Sequence, residues 1–268
     1  MGGDLVSTTS REGLTIHYDD GGSGPCIVLG HSFLCSGEMW RHQIDVLRRN
    51  RRVLNVDFRG HGRSSPAVGE FSLYDLVDDV IAVLDHAEVD QAMWAGLSVG
   101  GMVAMRAALT ARKRVSGLIL IDTHAGAEKR AKALKYRAMG LGAKLVGMKP
   151  FLPSIVPLMF GNTSRRENDQ LVAEWKERIL ELDIPSIRAF LRSLNSRDDV
   201  TDRLRDIDVP TLVIVGEEDR SLPPRCSERI ASAIPGARLE VIQGAGHLSA
   251  LERPEAVNRA ILEFLEVA

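Results

Sequence analysis

Ser98, Asp219 and His247 are the residues of this 268-residue chain whose types and surroundings could make and break an acyl bond. A serine hydroxyl is a weak nucleophile until a neutral imidazole removes its proton. The imidazole in turn needs a carboxylate to hold its tautomer and stabilise the imidazolium that forms. Ser98 stands in Gly96-Leu97-Ser98-Val99-Gly100, Asp219 in Gly216-Glu217-Glu218-Asp219, and His247 in Gly244-Ala245-Gly246-His247. The pattern G-x-S-x-G is weak alone, and its context decides whether it carries chemistry.

That context is a set of strands and helices able to position all three residues. Ala92-Met93-Trp94-Ala95 is an apolar run of buried-strand type, and 102–109 is rich in helix formers, so Ser98 falls on a sharp strand-to-helix turn. Glycines flank it because a Cβ there would collide with the neighbouring strand or helix. Apolar strands are also predicted at 15–18, Cys26–Gly30, 53–58, 117–122, Thr211–Gly216 and Arg238–Ile242. The cluster 19–25 reads as a turn. Helices are predicted at 38–49, 225–234 and 254–267, and one opens behind the capping-box spacing of Ser72 and Asp75. Alternating apolar strands and helices imply a mostly parallel sheet covered on both faces, with ligand chemistry at the carboxyl ends of the strands. Asp219 and His247 each follow such a strand, in the chain order Ser, Asp, His.

Between 123 and 205 the alternation stops. Helical patterns are expected at 127–145, weakened by Gly140 and Gly142, after a capping box at Ser164-Arg165-Arg166-Glu167, and again after Pro185. The expected division is a first core part at 1–122, an inserted helical cap at 123–205 and a second core part at 206–268.

With these stretches and Asp57-Phe58-Arg59-Gly60-His61-Gly62-Arg63-Ser64, the chain resembles the α/β-hydrolase fold enzymes over nearly its whole length. In detail it looks like the group containing 3-oxoadipate enol-lactonases, small bacterial carboxylesterases and cofactor-free haloperoxidases (perhydrolases). The resemblance implies Ser98 as nucleophile, His247 as general base and acid, and Asp219 as its orienting partner. It also implies an oxyanion hole of two backbone N–H groups, from Val99 and from Phe33 in His31-Ser32-Phe33. Ser32 departs from the glycine usual there. Ser32, Leu34, His124 and Leu248 are candidates to line the pocket. Asp122 competes with Asp219 because some relatives carry the acid after that strand, while His31 and His61 read as structural.

Composition bounds the remaining possibilities. The chain is 44% hydrophobic and 26% charged with a net charge of −2, which offers no case for nucleic acid or a membrane surface as partner. Three cysteines, Cys26, Cys35 and Cys226, have no metal-like spacing and suit a reducing cytoplasm. Residues 1–4 lack the regions of a signal peptide. No dinucleotide fingerprint, P-loop or metal ligand set is evident, so the expected chemistry needs no cofactor. The expected partner is a small ester or lactone, and a homo-oligomer stays open. The alternatives on the same triad are perhydrolysis and a slow-turnover ligand receptor. A basic run at 129–149, with Lys129, Arg130, Lys132, Lys135, Arg137, Lys144 and Lys149 against Glu128, suggests a pocket for anionic acyl groups.

Overall fold

The computed structural model describes residues 5–267; residues 1–4, read above for targeting signals, lie outside them. Eight strands form one sheet: β1 (Leu5–Arg11), β2 (Leu14–Gly22), β3 (Cys26–Gly30), β4 (Arg52–Val56), β5 (Ala92–Leu97), β6 (Val115–Ile121), β7 (Thr211–Gly216) and β8 (Arg238–Ile242). Their spatial order is β1-β2-β4-β3-β5-β6-β7-β8. The β1–β2 and β2–β4 pairs are antiparallel and the other pairs parallel.

Helices α1 (Arg41–Leu47), α2 (Leu73–His86) and α3 (Val99–Thr110) belong to the first half of the chain. Between β6 and β7 the described chain is helical, with α4 (Arg130–Val146), α5 (Leu152–Met159), α6 (Asn162–Glu167), α7 (Asp169–Leu180) and α8 (Ile184–Asn195). Helices α9 (Arg225–Ala233), α10 (Ser249–Glu252) and α11 (Pro254–Leu265) complete the fold.

The central strands β3 to β7 are largely apolar because they feed a core on each face. Val28, Leu54, Trp94, Leu118 and Val213 pack with Leu76 and Val80 of α2 and Val103 of α3. The alternate residues Ile27, Leu29, Val53, Met93, Ile119 and Ile214 pack with Leu47, Val257, Ile261 and Phe264 on the other face. The period of two in a strand places neighbouring side chains in opposite cores.

Three local expectations change. β1 is an added edge strand; its Leu-Val-Ser-Thr-Thr-Ser-Arg sequence lacks an apolar run, and a tight turn with positive φ at Glu12 (53°) and Gly13 (80°) pairs it with β2. β2 itself continues through Gly22, so strand pairing with β4 takes over most of the expected turn. The Ser164 capping box does not form: Ser164 is buried inside α6, and the Asn168 side chain caps α7 by accepting the Leu171 N–H at 3.1 Å. The Ser72–Asp75 capping box does form, and Asp183 with Pro185 opens α8.

Candidate active site

Ser98 joins β5 to α3 with φ 55° and ψ −110°, a region that costs a non-glycine residue energy and persists only where the surroundings enforce it. The enforcement is visible. A Cβ on Gly96 would run into the Gly100 carbonyl, and one on Gly100 would run into the Gly30 carbonyl oxygen of β3. β6 holds the turn from the other side: the Ser98 N–H donates to the Ile121 carbonyl at 2.8 Å, and the Thr123 hydroxyl donates to the Ser98 carbonyl at 2.6 Å.

Asp219 follows β7 and His247 follows β8, and the sheet brings them together. His247 Nδ1 lies 2.7 Å from Asp219 Oδ2. The other carboxylate oxygen, Oδ1, accepts the N–H groups of Ser221 and Leu222 at 2.8 and 2.9 Å. Oδ1 is taken up by these two donors, and an ionised carboxylate oxygen at Oδ2 accepts, an arrangement that suits the tautomer with its proton on Nδ1. Burial pulls the His247 pKa down, but the adjacent Asp219 charge and hydrogen bond, with Asp122 beyond, outweigh it and leave the net shift upward.

The loop carrying His247 is gripped on both sides. The Gly246 and Leu248 N–H groups donate to Glu252 Oε1 at 3.0 and 3.1 Å. The Ser249 N–H and hydroxyl donate to Asp122 Oδ2 at 3.1 and 2.6 Å, while Asp122 Oδ1 accepts the Gly216 N–H at 2.7 Å. Asp122 therefore engages the neighbours of both His247 and Asp219, with no hydrogen bond to the imidazole among the described residues. It is fully buried, and burial together with the Asp219 charge holds its carboxyl well above the usual range. In the sequence Asp122 reads as a competing acid whose Ile-Asp-Thr setting is usually structural. Its contacts with Gly216 and Ser249 span too much chain to leave a local signal.

Phe33 sits in the loop after β3 and Val99 is the first residue of α3, and neither N–H has a hydrogen-bond partner among the described residues. For Val99 this is the ordinary condition of a first helical residue. The loop before Phe33 is fixed by His31, whose Nε2 accepts the Phe58 N–H at 2.9 Å and whose Nδ1 donates to the Ser32 carbonyl at 2.7 Å. Burial holds the His31 pKa down to about 4, so the ring stays neutral in this role. Ser32 is accommodated with its N–H on Met39 Sδ at 3.2 Å, and Leu34 takes a positive φ of 64°.

A cavity of ≈ 150 Å³ opens onto both Ser98 and His247. Ser32, Phe33 and Leu34 line it, and its far wall is apolar, with Met139, Ala143, Met148, Phe151, Ile187 and Leu191 from the helical segment. His124 and Leu248 are not among its lining residues. The His124 ring turns to the backbone of Gly126, within 3.2 Å, and Leu248 is packed in the core beneath the sheet end. Of the basic run at 129–149, only Lys132 lines the cavity; helical periodicity turns Arg130, Lys135, Arg137 and Lys144 of α4 outward, and Lys129 and Lys149 lie exposed beyond its two ends. Lys132 Nζ donates to the Ser221 carbonyl at 3.4 Å, tying α4 to the loop of Asp219. Arg197, also at the cavity, pairs with Glu128 at 3.2 Å. Among the described residues no group of three or more His, Cys, Asp or Glu side chains is placed to hold a metal ion.

Comparison with known proteins identifies the family and the fold. The model of the alpha/beta hydrolase family matches residues 16–260. The 3-oxoadipate enol-lactonase 2 of Acinetobacter baylyi is 27% identical over 256 residues, covering 95% of this chain and 94% of that one. A thermophilic esterase from Thermogutta terrifontis, solved with malate bound, superposes with a TM-score of 0.91 at 30% identity, covering 99% of this chain and 98% of its own. The enol-lactonase from Burkholderia xenovorans LB400 gives a TM-score of 0.90 at 26% identity, covering 97% of this chain and 100% of its own. The sheet order, the strained serine turn and a family match across nearly the whole chain lead to one assignment: this protein belongs to the alpha/beta hydrolase family.

Proposed function

We propose that the protein is a serine hydrolase of carboxylic esters or lactones, working through an acyl-enzyme on Ser98. The observation that carries this reading is the 2.7 Å contact of His247 with Asp219 beside a cavity that also exposes Ser98. His247 Nε2 takes the Ser98 hydroxyl proton as Oγ attacks the acyl carbonyl. The carbonyl oxygen becomes an oxyanion held by the Phe33 and Val99 N–H groups. The C–O bond to the leaving alcohol then breaks as His247 returns the proton to that oxygen. Water, deprotonated by the same imidazole, attacks the acyl carbon; the bond to Ser98 Oγ then breaks as His247 returns the proton to Oγ, and the acid leaves. Asp219 holds the tautomer and the imidazolium throughout.

The helical segment at 123–205 acts as the cap that sets the acyl group. Its Met139, Met148, Phe151, Ile187 and Leu191 offer an apolar wall of adaptable and aromatic side chains. The favoured substrates are accordingly esters and lactones with a short to medium apolar acyl chain. The esterase and lactonase relatives act on this bond type, which supports the same reading. The test is hydrolysis of p-nitrophenyl butyrate by the native protein and by Ser98→Ala. The expected result is turnover in the native protein and a loss of roughly 10⁶-fold in kcat in the variant. Native-like turnover by Ser98→Ala would overturn the proposal.

A further inference from the structure

Helix α4 is apolar on two opposite faces. At about 100° per residue, Met139, Gly140 and Ala143 share the side that lines the cavity, and Leu134, Leu141 and Leu145 fall within roughly 40° of one another on the opposite side. That outer stripe faces solvent: Leu134 is 68% exposed, Leu141 55% and Leu145 77%, and Val146 at the helix end is 62% exposed. An apolar stripe of this kind ordinarily lies against another element, and here none covers it among the described residues.

The charge around the stripe selects what would cover it. Arg130, Arg137 and Lys144 recur every seven residues along one flank, Lys135 lies on the other, and Lys149 follows the helix end; all five are exposed. The helix carries no acidic residue, and the nearby Glu128 is already paired with Arg197. A second copy docking through the same stripe would bring these cations against their own counterparts with no carboxylate on α4 to meet them, which disfavours a symmetric dimer. An apolar stripe set among cations suits an anionic lipid surface instead. The leucines enter the acyl boundary while the basic side chains reach the head groups.

We propose that the outer face of α4 docks on anionic lipid surfaces, with the helix lying in the plane of the interface. Nothing crosses the bilayer in this arrangement; no helix among the described residues is long and apolar enough to do so. The inner face of the same helix continues to line the cavity, so docking places the cavity wall one helix thickness from the lipid. The proposal goes beyond the ester-hydrolase reading and does not depend on turnover.

The test is flotation of the full chain with vesicles of phosphatidylcholine alone or mixed in equal parts with phosphatidylglycerol, at low and high salt. Binding to the mixed vesicles is expected, with little to phosphatidylcholine alone and a marked loss at high salt. Lys144→Gln should weaken binding roughly fivefold, and Leu141→Glu with Leu145→Glu should abolish it. These side chains are exposed, and an unchanged thermal melt would show that the variants fold. Absence of binding to the mixed vesicles at low salt would overturn the proposal, as would binding that the leucine variants leave intact. A concentration-dependent dimer that Leu141→Glu dissolves would assign the stripe to a second copy and overturn it equally. Because Ser98→Ala protein serves as well in this assay, its outcome is independent of whether the ester chemistry holds.

Discussion

Asp122 Oδ2 accepts both the N–H and the hydroxyl of Ser249, two residues beyond His247, at 3.1 and 2.6 Å. Its other oxygen accepts the N–H of Gly216, three residues before Asp219, and its own N–H donates to the Ile214 carbonyl. The flanking Ile121 and Thr123 hold the backbone of Ser98. One tripeptide at the end of β6 thus anchors the supports of all three candidate catalytic residues. Asp122→Asn puts an amide NH₂ where only donors converge. The expected cost is about 1–3 kcal/mol of stability, measured by denaturant unfolding, with kcat falling more than KM rises. Ser249→Ala removes one donor and should cost less on both measures. An Asp122→Asn enzyme with native stability and kcat would contradict the positioning role.

The pH profile follows from His247. Its pKa is raised in the fold, so the ring protonates at a higher pH than a free imidazole near about 6.5. Only the neutral ring can accept the Ser98 proton. kcat/KM should therefore fall on the acid side with a midpoint above that value. Asp219→Asn removes the charge responsible, so the midpoint should move down in pH while kcat drops by about 10⁴-fold. A profile of unchanged midpoint in Asp219→Asn would contradict this assignment of the shift.

The strained turn at Ser98 gives a stability prediction opposite in sign to its activity prediction. Relieving a φ of 55° with ψ −110° should return about 1–3 kcal/mol, while the added freedom of an unfolded glycine costs about 0.4–1 kcal/mol. Ser98→Gly should therefore be inactive toward esters yet more stable by about 1 kcal/mol, as read from the denaturation midpoint. A less stable Ser98→Gly protein would show that the turn is not strained.

Chain-length preference should respond to Ala143, a buried residue at the cavity wall on α4. Ala143→Leu fills space that an acyl chain would use. Across a series of p-nitrophenyl esters, kcat/KM should fall about 10-fold or more for the longest accepted chain, since each excluded methylene is worth about 1–3 kcal/mol, and stay near native for acetate. An equal loss for acetate and long chains would place Ala143 outside the acyl site.

Much of this arrangement is readable in the chain because it rests on local sterics. The Gly96 and Gly100 positions report the collision they avoid, and the apolar strands report burial on both faces. What escapes the sequence is set at a distance or by competition between neighbours. β1 has no apolar run to betray it, since an edge strand needs none and it is set by pairing with β2. Asn168 takes the cap that the Ser164-to-Glu167 spacing predicts for Ser164, because Ser164 is drawn into the interior of α6. The wall of the cavity depends on how α4 and α8 pack over Ser98, and His124, one residue after Thr123, turns away from it to the backbone of Gly126.

Covalent acylation of Ser98 is the step on which ester hydrolysis by this protein rests. The direct measurement is reaction of the native protein with a fluorophosphonate ester, followed by peptide mapping of the adduct. One phosphonyl group on the peptide containing Ser98, accumulating in step with loss of ester hydrolysis, is the expected result. Complete inactivation with the label on another residue, or hydrolysis that persists with Ser98 fully modified, would contradict it.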